Sequence, residues 1–165
     1  MTEIPRRPPV AGISVALAAA ALGFAGVGVA SAGALAPAGV GVLVLAVGLF
    51  RASRRVVTLG ATALFVGVLY AGARGGATEP ILLGALGTVV SWDAAEYAIG
   101  VGEQLGARAS TWRCELPHIA ATALVGVLGA LTIFVVRGVA NDTLSLPAFA
   151  MVFVAMVLLT VALRW

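Results

Sequence analysis

The sequence predicts an all-α protein, a polytopic transmembrane helical bundle of six spans with both termini inside (N-in and C-in). Three observations predict it. Of 165 residues, 61% are hydrophobic and 10% charged, with a mean hydropathy of +1.10. A soluble domain of this size cannot hide so much apolar surface, because surface grows too fast relative to volume. The apolar residues fall in runs of membrane-crossing length, divided by Arg, Gly and Pro. Finally, with the N-terminus inside, Arg6, Arg7, Arg51, Arg54, Arg55, Arg108, Arg113 and Arg164 fall on inner segments, against Arg74 and Arg137 outside, as the positive-inside rule requires. Ten basic against seven acidic residues and a pI near 10.0 would suggest nucleic acid in a soluble protein. Here the arginines lie between spans and read as topology signals, so no nucleic-acid partner is expected.

The whole chain, residues 1–165, is expected to form a single transmembrane domain, with spans at about 10–31, 34–50, 56–73, 80–99 continuing to about 106, 118–136 and 146–163. Span one follows Arg6-Arg7-Pro8-Pro9. Ala30-Ser31-Ala32 resembles a cleavage site, and a removed signal peptide is the competing reading; the apolar run exceeds a normal signal core, which favours a retained span. Pro37 lies in the first turn of span two, where its missing N–H costs nothing. The short link predicts a tight hairpin of spans one and two. Arg51, Arg54 and Arg55 precede span three, and Arg74-Gly-Gly-Ala-Thr-Glu79-Pro80 makes a break before span four. Ala107 to Leu116 reads as a polar linker, and Pro117 opens span five. Arg137 to Thr143 is a polar loop, and Arg164-Trp165 closes span six with a cation and an interfacial aromatic.

Span four carries the central inference. Its uninterrupted apolar part, Ile81 to Ser91, gives roughly 16 Å of helix, about half the hydrocarbon thickness. To cross, the helix must continue to about Ile99, which draws Asp93 and Glu96 below the membrane surface. Ionisable groups there are costly and usually face the bundle interior with partners. The functional reading is a proton or cation site, or a docking point for another subunit; the alternative is an interfacial helix end whose acids reach water. Asp93, too short to reach out easily, is the better candidate. Glu103, Gln104 and Arg108 would stand outside on the inner side as a partner contact.

His118, the only histidine, begins span five at a depth similar to Glu96. An imidazole there can share a proton with a carboxylate; a histidine at a wet helix end is the simpler account. Cys114-x-x-x-His118 offers two ligands where structural zinc wants four, so no metal or cofactor is expected. A single cysteine excludes an intrachain disulfide. Small residues four apart, Gly12, Ala16 and Ala20, then Ala19 and Gly23, allow close helix approach, within the chain or in a homo-oligomer. Gly26-x-Gly28 and Gly100-x-Gly102 lack the strand and spacing of a dinucleotide loop. Ala61-Thr62-Ala63-Leu64 recurs as Ala121-Thr122-Ala123-Leu124, too short a match to establish a repeat. With no nucleophile beside the histidine, an enzyme is not expected.

The segment Trp92-Asp93-x-x-Glu96-x-Ala98-x-Gly100-Val101-Gly102-Glu103-Gln104-Leu105-Gly106, with Arg54-Arg55-Val56-Val57-Thr58-Leu59-Gly60, resembles an uncharacterised family of small haloarchaeal polytopic membrane proteins. The resemblance spans most of the chain. It implies genes near MoxR-type AAA ATPases, von Willebrand factor A-like proteins and transglutaminase-like membrane proteins, hence a membrane-associated assembly or maturation system, and supplies no activity or site residues. The expectation is a multi-pass cell-membrane protein, a non-enzymatic subunit or scaffold whose partners are the bilayer and membrane proteins. The alternative is a small transporter or channel component using Asp93, Glu96 and His118 for protons or cations.

Overall fold

A computed structural model describes residues 7–105 and 112–139, and every described element is helical. They are α1 (Val10–Ala30), a 3₁₀ turn (Ala32–Ala34), α2 (Leu35–Phe50), α3 (Arg54–Ala73), α4 (Thr78–Leu105) and α5 (Trp112–Val139). Among the described residues, four stretches are long and apolar enough to cross a membrane: Val10–Ala30, Ala32–Phe50, Arg54–Ala73 and Leu116–Val135. α4, with 28 residues, reaches about 42 Å, but its carboxylates lower its hydropathy and it is not among the four. The sixth expected span, 146–163, and Arg108 lie outside the described residues. The chain divides into two compact units, Met1–Val127 and Leu128–Trp165. The first holds α1–α4 and the opening of α5; in the second, 128–139 is helical.

Helix boundaries follow local chemistry. α1 starts after the extended Pro9, whose φ is −66° and ψ 145°. α2 ends in a Schellman turn: Ala52 takes the left-handed conformation at φ 50°, its N–H bonds to Leu49 O, and the Ser53 N–H bonds to Gly48 O. α3 ends with the same bonds around Gly75 at φ 74°, where Gly75 reaches Gly72 O and Gly76 reaches Ala71 O. Pro37 is the third residue of α2, inside the first turn as expected. Pro117 is placed differently: α5 begins at Trp112, so the proline lies inside the helix rather than opening it. It forgoes one backbone bond in the second turn, a loss a helix so near its start withstands.

The first unit is packed on small residues. Gly23 and Gly26 of α1 lie against α4, and a β-carbon at Gly26 would come within 2.7 Å of the Pro80 carbonyl oxygen and the Gly84 nitrogen. On the other side, Gly41 and Gly60 bring α2 and α3 together, and a β-carbon at Gly41 would lie 2.8 Å from the Gly60 carbonyl oxygen. α1 therefore packs chiefly on α4 and α2 chiefly on α3, with α3 joining the two pairs. The expected hairpin of spans one and two has its tight turn, but the α1–α2 contact is the minor one. The glycine-lined faces match across α1/α4 and α2/α3, and in lipid such close approach supplies the association energy. Gly12, Ala16, Ala19, Ala20 and Gly23 are all buried within the chain, while Leu22, Leu43, Phe50, Leu59 and Leu124 face outward. Small residues inside and large apolar ones outside are what a lipid-embedded bundle presents.

Directions alternate. Gly102 near the end of α4 sits under the Arg7 carbonyl at the start of the chain, while Gly26, late in α1, meets Pro80, early in α4. The beginning of α3 likewise meets the end of α4 through Arg54 and Glu103. One end of the unit thus gathers Arg7, Arg51, Arg54, Arg55, Glu103 and Gln104. α4 is the enclosed helix: Thr88, Ser91, Asp93 and Glu96 are all buried in it.

Candidate functional site

The carboxylates of α4 do not act as one stripe. Helical geometry sets Asp93 and Tyr97 on one face and Trp92, Glu96 and Glu103 on another, roughly 60–100° away. The second face meets α3. Arg54 Nη1 lies 3.1 Å from Glu96 Oε2, and its Nη2 lies 2.9 Å from Glu103 Oε2. One guanidinium thus bridges two carboxylates two turns apart, the fork geometry that arginine offers and lysine does not. Gly100 leaves room for it, since a β-carbon there would stand 3.1 Å from Arg54 Nη2. Thr58 hydroxyl donates to the Arg54 carbonyl at 3.0 Å and stands 3.4 Å from Glu96 Oε1, while Trp92 Nε1 donates to Thr58 at 3.4 Å. The two pairs differ in surroundings: the Glu96 side chain is 9% exposed, Glu103 53% and Arg54 43%.

The first face meets α5. Thr122 hydroxyl donates to Asp93 Oδ2 at 2.7 Å, and His118 Nε2 lies 2.9 Å from the same oxygen. By distance the latter is an ion-pair contact, yet Nε2, itself shielded from solvent, makes no aligned hydrogen bond, and a second neighbour lies over the face of the ring. That neighbour is Tyr97, whose ring stacks on the imidazole with centroids 4.2 Å apart and planes 14° from parallel. His118 and Thr122 are four apart on α5, as Asp93 and Tyr97 are on α4, so the four side chains interlock. Four residues further on, Gly126 accommodates Leu86 of α4. Asp93 itself is 2% exposed.

The structure thus brings Asp93 and His118 together and sends Glu96 to Arg54 instead. Glu103 joins Glu96 through that arginine, and Gln104 is exposed at the same end. Among the described residues, no group of three or more His, Cys, Asp or Glu could hold a metal ion. Four participants were not picked out as site residues in the sequence: Arg54, read as a topology charge and, with Thr58, as part of the string that carries the resemblance, Tyr97, and Thr122, seen only in the short repeat. The signal that would have found Thr122 is its spacing from His118, two polar residues at i and i+4 on an apolar helix.

Neither a curated protein nor a solved structure matches the chain. A family model described as a family of unknown function does, over residues 6–160. With nearly the whole length covered, both halves of the polar network included, the chain belongs to the family of unknown function DUF7519.

Proposed function

We propose that this is a six-span, N-in and C-in protein of the cell membrane, serving as a non-enzymatic subunit or scaffold of a membrane-associated complex. The observation that supports it is the use made of the α4 carboxylates. Glu96 and Glu103 are engaged by Arg54, and Asp93 by Thr122 and His118. They work as fasteners between helices, which is how polar groups in a bundle gain most. The same end presents exposed Arg7, Arg51, Arg55 and Gln104, a polar rim on the inner side suited to protein contact, as in the assembly or maturation system that the resemblance implies. Co-purification at native expression, read by mass spectrometry, tests this. A defined partner is expected, lost in Gln104→Arg without change in thermal stability; a chain that purifies alone overturns it.

A second reading, a proton or cation transporter component, is favoured by one observation, the burial of Asp93 to 2% in a helix of transmembrane length. Flux in proteoliposomes that disappears in Asp93→Asn is its expected signature. No flux from the parent protein excludes it.

A further inference from the structure

We propose that Arg7, Arg51 and Arg55, exposed at the Arg54 end of the first unit, hold the phosphates of anionic lipids in the leaflet at that end, the inner one in the proposed topology. Each stands at the foot of a stretch long and apolar enough to cross a membrane. Arg7 comes three residues before Val10, Arg51 directly after Phe50, and Arg55 is the second residue of Arg54–Ala73. In a bilayer that is the depth of the headgroups. Outward-facing apolar side chains adjoin them: Val47 one turn before Arg51, Phe50 beside it, and Leu59 one turn after Arg55. These arginines therefore lie on the perimeter of the bundle, where lipid is.

Positive charge is left over at this end once its ion pairs are made. Arg54 is taken up by Glu96 and Glu103, while Arg7, Arg51 and Arg55 make no ion pair among the described residues. The segments that continue from here, 1–6 and 106–115, add three arginines against two acids in the sequence, so the balance stays positive. The opposite end of the unit carries one of each, Arg74 and Glu79. The backbone holds the arginines in place. Arg51 and Arg55 flank the Schellman turn, fixed by the bonds from Arg51 N–H to Val47 O and from Ser53 N–H to Gly48 O. The Arg7 carbonyl lies over Gly102, and the two prolines that follow it are buried. A guanidinium offers phosphate a planar fork of donors, and a fixed fork loses little freedom on binding. A small anion in water would gain only that contact. A lipid gains it together with a bed for its acyl chains along Val47, Phe50 and Leu59. The proposal rests on the membrane reading of the chain and not on the subunit reading: the arginines of the rim meet lipid, and Gln104, at the end of α4, is left for protein.

Native mass spectrometry of the full chain in neutral detergent micelles tests this, with dioleoyl phosphatidylglycerol titrated against dioleoyl phosphatidylcholine, lipids alike in their chains and different in net charge. An arginine at an anionic surface strengthens binding roughly fivefold, so two or three acting together should favour phosphatidylglycerol at least about tenfold. Arg51→Gln combined with Arg55→Gln should bring that preference below about threefold, whereas Arg74→Gln, at the opposite end, should leave it unchanged. Should the double variant fail to fold, Arg7→Gln alone is expected to lower the preference several-fold, and in the parent protein a rise from about 0.05 to about 0.5 M salt should weaken it as the charges are screened. Inorganic phosphate separates the two sources of the same chemistry, and at equal concentration it should not displace the lipid. Equal binding of the two lipids, a preference undiminished in the double variant or indifferent to salt, an equal loss in Arg74→Gln, or displacement by inorganic phosphate overturns the proposal. No protein partner enters the assay, so its outcome is independent of whether one co-purifies.

Discussion

Arg54 holds two carboxylates of α4 at once, and the two do not weigh equally. Removing it in Arg54→Gln strands Glu96 at 8% exposure, and a buried charge without its partner costs more than the pair gained. Because Arg54 is itself nearly half exposed, the expected loss falls below the roughly 3–5 kcal/mol of a fully buried pair, at about 1–3 kcal/mol, read by thermal unfolding in detergent micelles. Glu103→Gln should cost under about 1 kcal/mol, as for other water-exposed ion pairs. Thr122→Val should cost about 0.6–1.7 kcal/mol, from the average to the upper value for hydrogen bonds between membrane helices. Asp93 and Glu96 were legible as candidates because a carboxylate inside an apolar run stands out. Arg54 was not, because an arginine beside a span has two readings, sidedness and pairing, and only the approach of α3 to α4 distinguishes them.

At the level of elements, the two Schellman turns make opposite predictions. Ala52 occupies a left-handed position at φ 50° with a side chain that disfavours it, whereas Gly75 at φ 74° has none and open space around it. Ala52→Gly should therefore stabilise the protein by about 1 kcal/mol and Gly75→Ala should destabilise it by a similar amount, measured by the same unfolding assay. Helix existence was readable from the apolar runs. The start of α5 was not, because Pro117 looks like an opening residue while the helix had already begun at Trp112. Pairing of the helices was equally out of reach. A short link makes α1 and α2 neighbours in the chain, but the fit of Gly23 and Gly26 to α4, and of Gly41 and Gly60 across α2 and α3, decides which contacts are extensive.

For the whole molecule, the alternating helix directions place Arg7, Arg51, Arg54 and Arg55 at one end. In a Cys114→Ser background, Ala77→Cys and Asn141→Cys should react with an impermeant maleimide added outside intact cells, and Arg51→Cys only after permeabilisation. The reverse pattern would overturn the proposed topology. By itself the sequence determined that this is a helical protein suited to a lipid environment, and it marked Asp93 and Glu96 as carboxylates inside an otherwise apolar run. Composition and helix length suffice for that, since each is a sum over local residues. Only the tertiary structure decided that these two acids go to different neighbours, Glu96 to Arg54 on α3 and Asp93 to Thr122 and His118 on α5. Their partners lie 42 residues away in one case and 25 to 29 in the other, and the direction in which a side chain points around a helix acquires meaning only when another helix arrives to meet it.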